Sequence, residues 1–205
     1  MINELIELKK AIQGQKIILI LEGRDSAGKS STAQILKSIF SPKDCALVAL
    51  PTPTPSFMRQ WLSSWGKVID RKKEPFIILD RSWYSRALCQ RVNEWCTEKQ
   101  AKNFLKNVKK FEKKLGSEFM VIKVYLSITK EEQEKRLNAR KNSPLYNWKY
   151  SPNDAKALEN FDLLTELRKE IISDSDWIVI DYNDKNAGLL ELLETLTEEI
   201  HSRRM

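Results

Sequence analysis

Short apolar runs alternate with longer amphipathic segments along almost the whole chain. In the longer segments, apolar residues recur at intervals of three and four, which is the spacing of a helix that packs one side on a core. Helical connections are long enough to cross over a sheet, so this alternation predicts an α/β fold with a five-stranded parallel sheet flanked by helices. The predicted strands are residues 17–21, 46–50, 76–79, 120–128 and 177–181, and the predicted helices include residues 2–12, 30–40, 57–69, 97–115, 129–140, 153–172 and 187–200.

A proline-rich segment follows the second predicted strand. Pro51, Pro53 and Pro55 stand at alternate positions, which predicts an extended loop without a helix. The aromatic and aliphatic stripe after it is interpreted as core, in preference to a platform on which bases stack. Its members are Phe57, Trp61, Leu62, Trp65, Val68 and Ile69.

A second irregular segment lies between residues 141 and 154. It contains two prolines, few apolar residues and several basic ones, which predicts a mobile lid at about residues 136–156. Asn153 or Asp154 is expected to cap the helix that follows. Since there is no internal repeat or low-complexity segment, we expect a single domain over residues 1–205 with the lid as an insertion.

Charge adds a preference for anionic partners. The chain has 35 Lys and Arg against 28 Asp and Glu, a net charge of +7. Such a balance favours nucleotides, polyphosphate, nucleic acid or an anionic membrane, although an ordinary soluble surface is an equal alternative on charge alone.

Cysteine and histidine usage excludes several kinds of site. Cys45, Cys89 and Cys96 form no metal-binding spacing and cannot all pair, which is typical of reduced thiols. His201 is the only histidine, so a Ser-His-Asp triad, a His-rich metal site and a phosphohistidine intermediate are not expected. No segment is typical of a signal peptide or a membrane span, so we expect a cytoplasmic protein.

The strongest chemical signal is the segment Gly23 to Ser30, which matches the complete G-x-x-x-x-G-K-[ST] pattern of a phosphate-binding loop. Strand, loop and helix follow one another there, as the motif requires. The backbone N–H groups of such a loop and the helix N-terminus bind phosphate, Lys29 reaches the outer phosphates, and the hydroxyl of Ser30 holds Mg²⁺. The residues expected to bind phosphate through this loop are Gly23, Arg24, Ser26, Ala27, Gly28, Lys29 and Ser30.

Asp80 directly follows the third apolar run, as in a Walker B element. A carboxylate at this end of a strand can orient Mg²⁺ or its waters. Arg81 and Arg86 come next and could clamp phosphates beside it, the alternative being a surface salt-bridge pair. Arg136 and Arg140 are four residues apart on one predicted helix and therefore share a face.

Three stretches resemble the polyphosphate kinase 2 family. They are Glu22 to Lys29, Asp80 to Arg86 and Trp148 to Asp154, with Glu131, Glu132, Gln133 and Arg136 spaced ahead of the last. The resemblance extends from about residue 16 to residue 182, and only the first stretch is shared with P-loop kinases in general. It implies a P-loop kinase fold and a Mg²⁺-dependent transfer of a phosphoryl group between inorganic polyphosphate and a nucleoside mono- or diphosphate, with Mn²⁺ as an alternative ion.

The resemblance also implies roles for individual residues. Lys29 would bind the transferring phosphate, and Asp25 would orient the acceptor phosphate or its metal. Asp80 would hold Mg²⁺, together with Ser30. The basic residues complete the site: Arg81 and Arg86 would neutralise developing charge, and Arg136, Arg140 and Lys149 would guide polyphosphate under the lid. We expect no nucleic acid or membrane partner, and a homo-oligomer, either a dimer or a tetramer.

Some features depart from the family pattern. Ser85 stands where the family usually has Asn, and Ser143 precedes Pro144 where the family commonly has Asp, so acceptor and lid contacts are expected to differ. About fifteen residues precede the first predicted strand, which is a short helical leader for the family and affects the expected oligomer contacts.

Two other functions are alternatives at this stage. A nucleoside monophosphate kinase of the thymidylate kinase type resembles residues 22–32 and uses a basic lid with ATP as donor. A non-catalytic P-loop module would bind nucleotide without turnover. The sequence leaves open a mono- or diphosphate acceptor, an adenine or guanine preference, and the direction of transfer.

Overall fold

The computed structural model describes residues 1–145, 147–173 and 176–204, and of Lys149, Pro152 and Ala155 only the backbone. Its centre is a parallel sheet in the order β2-β3-β1-β4-β5. The strands are β1 (Ile17–Gly23), β2 (Cys45–Val48), β3 (Phe76–Asp80), β4 (Met120–Ser127) and β5 (Trp177–Asp181). The predicted five-stranded parallel sheet is thus confirmed, and the strand that leads into the phosphate-binding loop lies in the middle of it.

Helices cover both faces of the sheet. They are α1 (Ile2–Ile12), α2 (Lys29–Ser38), α3 (Pro55–Arg59), α4 (Trp61–Asp70), α5 (Cys89–Val92), α6 (Glu98–Leu115), α7 (Lys130–Asn142), α8 (Pro152–Glu159), α9 (Phe161–Ile172) and α10 (Lys185–Ser202), with short 3₁₀ turns at Trp83–Arg86 and Asn147–Lys149. Among the described residues, none of these helices is both long and apolar enough to cross a membrane.

Strand β1 is buried over its whole length and supplies side chains to two separate cores. Leu19 and Leu21 pack with α1, α2 and α10 on one face. Ile18 and Ile20 pack with α4, α6 and α9 on the other. Because successive side chains of a strand point to opposite faces, a single apolar run can anchor both layers and fix the loop that follows it.

The aromatic stripe of α4 belongs to the core, as predicted. Trp61, Trp65 and Ile69 are buried on this helix, and Phe57 packs against them. The extended loop, however, was predicted one residue too far. Pro55 is the first residue of α3 and Thr54 is its N-cap, since proline is tolerated where a helix has no N–H to satisfy.

Two other boundaries also differ from the prediction. Ser151 is the N-cap of α8, where Asn153 or Asp154 was expected, and Asp154 instead completes the capping box from the third helical position. The helix predicted to continue to residue 172 ends at Glu159, and α9 begins after Asn160. By contrast, the helix predicted over residues 97–115 is confirmed as α6, whose N-cap Thr97 forms a capping box with Gln100.

Candidate active site

The loop between β1 and α2 has the backbone that the sequence motif predicts. Gly23 and Gly28 adopt positive φ angles of 148° and 112°, and Ser26 lies in the left-handed region at 64°. A Cβ atom on Gly23 would stand 2.5 Å from the carbonyl oxygen of Leu126 in the neighbouring strand. Only glycine can therefore occupy this position while β1 and β4 stay paired.

Side chains hold the carbonyl groups of this loop. The ammonium of Lys29 donates to the carbonyl oxygens of Gly23 and Arg24, at 3.0 and 2.7 Å. Helix α7 holds three more: the side chain of Gln133 donates to the carbonyl oxygen of Asp25 at 3.2 Å. Arg136 donates to Ser26 and Ala27 at 3.1 and 3.2 Å. With its carbonyls held in this way, the loop keeps the geometry in which N–H groups converge on an anion.

The surroundings of Lys29 lower the pKa of its ammonium group. Burial, reinforced by the positive charge of Arg81, lowers the pKa of Lys29 from 10.5 to about 8, against the opposing effect of nearby carboxylates. An anion at the loop would stabilise the ammonium and raise this pKa again.

The hydroxyl of Ser30 and the carboxylate of Asp80 are in direct contact. Ser30 donates to Oδ2 of Asp80 at 2.5 Å, which joins the start of α2 to the end of β3. Among the described residues, no group of three or more His, Cys, Asp or Glu side chains is arranged to hold a metal ion. A hydroxyl beside one carboxylate nonetheless fits Mg²⁺, since this ion commonly binds one or two protein oxygens and completes its shell with substrate phosphates and water.

Arg81 follows Asp80 and pairs with the acid of the phosphate-binding loop. Its guanidinium donates to Oδ1 of Asp25. Burial acts to raise the pKa of Asp25, but Arg81 and Lys29 outweigh it, so this pKa lies below its usual value. Asp25 is therefore an ionised carboxylate at neutral pH.

Glu22 fixes the segment that carries Arg81. The Glu22 side chain is fully buried, and its Oε1 accepts from both the backbone N–H and the hydroxyl of Ser82, each at 2.9 Å. Burial raises the pKa of Glu22 despite the nearby Arg81. Arg81 itself has a positive φ of 68°, so the chain turns sharply at this point.

Two cavities meet at the Asp25 and Arg81 pair. The P-loop cavity, of about 890 Å³, is lined by Lys29, Ser30, Arg136 and Lys185 among others. The aromatic cavity, of about 290 Å³, is lined by three tryptophans, by the proline loop and by polar residues that follow β3, among them Ser82, Ser85, Gln90 and Asn93. The residues that line both are Asp25, Leu50, Asp80, Arg81 and Arg140. The P-loop cavity thus offers cationic and hydroxyl groups, and the aromatic cavity offers flat apolar surfaces. The carboxylates of Asp25 and Asp80 lie where the two cavities join.

Arg24 and Arg86 were expected in contact with phosphate, but both face protein groups. The Arg24 guanidinium lies 3.5 Å from the ring centroid of Phe161 and donates to the Phe161 carbonyl at 2.9 Å. Arg86 donates to the carbonyl of Met58 at 2.7 Å and lies over the ring of Trp61. Arg86 lines a different pocket from Asp80, so the expected clamp of Arg81 and Arg86 does not form in this conformation. A long arginine side chain can reach several alternative partners. In this structure the packing of the core places the guanidinium groups of Arg24 and Arg86 against protein groups.

The basic residues of the predicted lid are also distributed differently. Arg136 has a second set of partners besides the loop carbonyls, the backbone oxygens of Tyr182 and Asn183 at 2.6 and 2.9 Å. Its Nε donates to Oε1 of Glu132 at 2.7 Å, so protein groups occupy the whole guanidinium and only Nη1 contacts the loop. Arg140 lies at the cavity junction and donates to Oδ1 of Asp154 at 3.0 Å. The predicted polyphosphate contact of Lys149 lies outside what is described, because only its backbone is.

Sequence reasoning did not single out several residues of the site. Lys185, the first residue of α10, lines the P-loop cavity although it is far away in the chain. Gln133 and Glu22 were noted only as parts of family-like stretches, and they hold the two halves of the site. Gln90 and Asn93 line the aromatic cavity from α5 and its C-cap. For Gln90, the sequence offered one signal of a role in the site, a polar residue within an apolar helical region.

The chain is similar over most of its length to proteins whose names refer to polyphosphate. The family model Polyphosphate kinase 2 (PPK2) matches residues 1–205. The NDP-polyphosphate phosphotransferase 1 of Ruegeria pomeroyi is 32% identical over 213 residues, which cover 96% of this chain and 67% of that protein. The ADP-polyphosphate phosphotransferase of Pseudomonas aeruginosa is 29% identical, with coverage of 99% and 69%. The GDP-polyphosphate phosphotransferase of Mycolicibacterium smegmatis is 33% identical, with coverage of 93% and 70%.

Solved structures agree on the fold. The Polyphosphate Kinase 2 of Arthrobacter aurescens superposes with a TM-score of 0.86 at 24% identity, over 99% of this chain and 76% of that one. A related structure from Pseudomonas aeruginosa also has a TM-score of 0.86, at 22% identity. That superposition covers 98% of this chain but only 46% of the longer Pseudomonas aeruginosa chain.

Proposed function

This chain belongs to the polyphosphate kinase 2 family, and on this premise we propose that it transfers a phosphoryl group between inorganic polyphosphate and a nucleoside mono- or diphosphate. The relatives named above use NDP, ADP or GDP with polyphosphate, according to their names. Transfer exchanges one phosphoanhydride for another, so ADP or ATP, and GDP or GTP, are formed from polyphosphate or consumed in the reverse direction.

The junction of the two cavities at Asp25, Asp80 and Arg81 is the observation that carries this proposal. Polyphosphate would lie in the P-loop cavity, where charges and hydroxyls converge, and the nucleotide would enter the aromatic cavity with its phosphate at the junction. The two reacting phosphates then meet end to end. Phosphoryl transfer passes through a loose transition state that needs an in-line arrangement of this kind.

The residues of the junction supply positioning and charge neutralisation. Lys29 would exchange its two carbonyl partners for oxygens of the transferring phosphate. Arg81 would neutralise developing negative charge, and Asp25 keeps its guanidinium in place. Fixed charges beside the low-dielectric protein interior stabilise a transition state more than the same charges in solution. No covalent nucleophile is required, because the phosphoryl group passes directly from one oxygen to another.

Ser30 and Asp80 would hold Mg²⁺, or Mn²⁺ as an alternative, with Asp25 close by. When bound, the ion neutralises phosphate oxygens and fixes them for in-line transfer. Support comes from the direct contact of the Ser30 hydroxyl with the Asp80 carboxylate, a pair of hard oxygen ligands at the edge of the P-loop cavity. Activity with Mg²⁺, and its loss with excess chelator, is the expected result.

The donor distinguishes this function from a thymidylate kinase type of enzyme. Purified protein is offered AMP, ADP, GMP, GDP and dTMP in turn, with Mg²⁺ and either long-chain polyphosphate or ATP as the sole donor. We expect polyphosphate alone to support formation of a higher nucleotide. Turnover only with ATP would contradict the proposal, and nucleotide binding without any turnover would indicate a non-catalytic module.

We extend the proposal to the setting of the enzyme. The family resemblance supports a homo-oligomer, either a dimer or a tetramer. The interpretation of the cysteines as reduced thiols supports a cytoplasmic location. Light scattering on purified protein at several concentrations tests the first of these. A monomer that retains full polyphosphate-dependent activity would contradict it.

A further inference from the structure

We propose that the aromatic cavity selects the nucleobase of the acceptor through the side-chain amides of Gln90 and Asn93. This inference rests on the proposed function, because it assigns a specificity role within the same site. No motif in the sequence points to these two residues.

Gln90 is buried but makes no hydrogen bond with its side chain. The residue is 1% exposed, and neither its Nε2 nor its Oε1 has a partner. Almost all buried polar atoms in folded proteins are hydrogen-bonded, because leaving one unpaired costs its full desolvation energy. An amide with both ends unpaired on the wall of a cavity is therefore explained if a ligand supplies the partners.

Asn93 lines the same cavity and carries a further unpaired acceptor. Its Nδ2 donates to the carbonyl oxygen of Cys89 at 2.8 Å, which fixes the orientation of the amide. Its Oδ1 is buried without a partner. Gln90 and Asn93 stand three residues apart on α5 and its C-cap, so the two amides are neighbours on one face.

The rest of the aromatic cavity suits a flat ring. Pro51 and Pro53 line it from the loop after β2, and Trp95 lines it from the segment after α5. The reacting end of the cavity is the junction with Asp25 and Arg81. A nucleotide with its phosphate at the junction would bring its base toward these apolar surfaces, which stack on bases of any kind.

The free amide atoms can read the edge of a base. Gln90 offers a donor nitrogen with two N–H groups beside an acceptor oxygen, and Asn93 adds one acceptor oxygen. Adenine presents the N6 amino group beside the acceptor N1, and guanine presents the acceptor O6 beside the donors N1–H and N2–H. Either purine can therefore satisfy all three atoms, and the chemical nature of residue 90 is expected to decide between them.

Gln90→Glu tests this directly. It replaces the amide donor by a second acceptor of nearly the same shape. Guanine can pair N1–H and N2–H with a carboxylate, whereas adenine loses the donor for N1. At pH 8.5, which keeps the carboxylate ionised, we expect the ratio of kcat/KM for GDP over ADP to rise at least about tenfold, since unpaired polar groups in a site discriminate strongly. The equivalent monophosphates are used if those are the acceptors of the wild type.

Nucleotide analogues that lack one amino group distinguish a direct contact between Gln90 and the base from a purely structural role of Gln90. Purine riboside diphosphate has no N6 amino group, and inosine diphosphate has no N2 amino group. The wild type is expected to prefer ADP and GDP to these analogues. In Gln90→Leu the preference for ADP over purine riboside diphosphate should fall at least about fivefold, mostly through KM, because the leucine cannot pair with either substrate. Asn93→Leu should likewise weaken the preference for ADP and GDP over the analogues that lack an amino group.

Gln34→Glu and Gln34→Leu are the matched controls. Gln34 is exposed on α2 and lies outside both cavities, so the same chemical changes there should leave the base preferences unaltered. Unchanged base and analogue preferences in the Gln90 variants would overturn the inference while leaving the proposed function intact. Absence of polyphosphate-dependent turnover in the wild type would instead overturn the proposed function. If Gln90→Leu does not fold, Gln90→Glu and the wild-type analogue series still decide.

Discussion

The guanidinium of Arg81 and the carboxylate of Asp25 form an ion pair where the P-loop cavity and the aromatic cavity join. Both side chains are about 30% exposed, at 29% and 30%, so the pair is open to ligands. Each residue comes at the end of a different strand, β3 and β1, and these strands are neighbours in the sheet. The pair therefore links the two halves of the candidate active site.

Asp25→Asn and Arg81→Lys should each lower kcat for polyphosphate-dependent turnover at least about 100-fold, because each loosens a charge aimed at the transition state. Since the two residues act together, the double variant should lose less than the product of the single losses. Steady-state kinetics measure this. Glu98→Gln, which removes a partner of Arg91 outside both cavities, is the control. Fully multiplicative losses would argue that the pair does not act as a unit.

Lys29→Ala and Asp80→Ala should each abolish turnover and leave the fold intact. The first removes the cation of the phosphate-binding loop, and the second removes the carboxylate proposed for Mg²⁺. Circular dichroism and thermal melting check the fold, and coupled nucleotide assays check turnover. Lys102→Ala and Asp70→Ala change exposed residues of the same types and serve as controls. Near-normal activity in a variant would remove that residue from the mechanism.

Phosphate binding should be coupled to proton uptake by Lys29. Its pKa of about 8 rises when an anion binds, so at pH 8.5 the complex gains part of a proton. Terminal phosphates, which titrate near about pH 6, are already ionised there. Calorimetry in two buffers of different ionisation enthalpy measures the uptake, which should be absent in Lys29→Ala and small at pH 6.5. Equal apparent enthalpies in both buffers at pH 8.5 would contradict this pKa.

Arg140→Ala should weaken the use of polyphosphate more than the binding of nucleotide. Arg140 pairs with Asp154 and lines both cavities, but a polyanion gains more from a cation than a single nucleotide does. We expect KM for polyphosphate to rise at least about fivefold, and the wild-type affinity to fall steeply with salt, as for other polyanions. Lys135→Ala, an exposed change on the same helix, is the control. A polyphosphate affinity that does not depend on salt would argue against this role.

Glu22→Gln should change how stability depends on pH. Burial raises the pKa of Glu22 above its ordinary value of 4.5, so the folded protein holds a proton that the unfolded chain has already released. Stability therefore falls as the pH rises from about 4.5 through the folded pKa, and a glutamine, which still accepts from Ser82, removes that loss. Urea unfolding between pH 4.5 and pH 8 should show the variant gaining on the wild type. A constant difference across this range would contradict the shift.

The sequence alone predicted the frame of this site because its signals are local. The glycines and lysine of the motif, an apolar run before it and a helix after it specify the phosphate-binding loop within about fifteen residues. Asp80 was predicted at the end of a strand, and the carboxyl ends of parallel strands meet at one edge of the sheet. Asp25, Ser30 and Asp80 were thus expected near one another, and all three line the P-loop cavity.

Only the tertiary structure decided where the long side chains point. Arg24, Arg86 and Arg136 stand in or beside the expected motifs, yet each donates to backbone carbonyls. An arginine can serve a phosphate or a carbonyl, and the choice depends on groups more than 25 residues away in the chain. The pairing of Gln133 with the loop and the unpaired amide of Gln90 have the same origin. Periodicity and motif spacing describe the backbone, whereas the partner of a side chain is set by which distant elements pack against it.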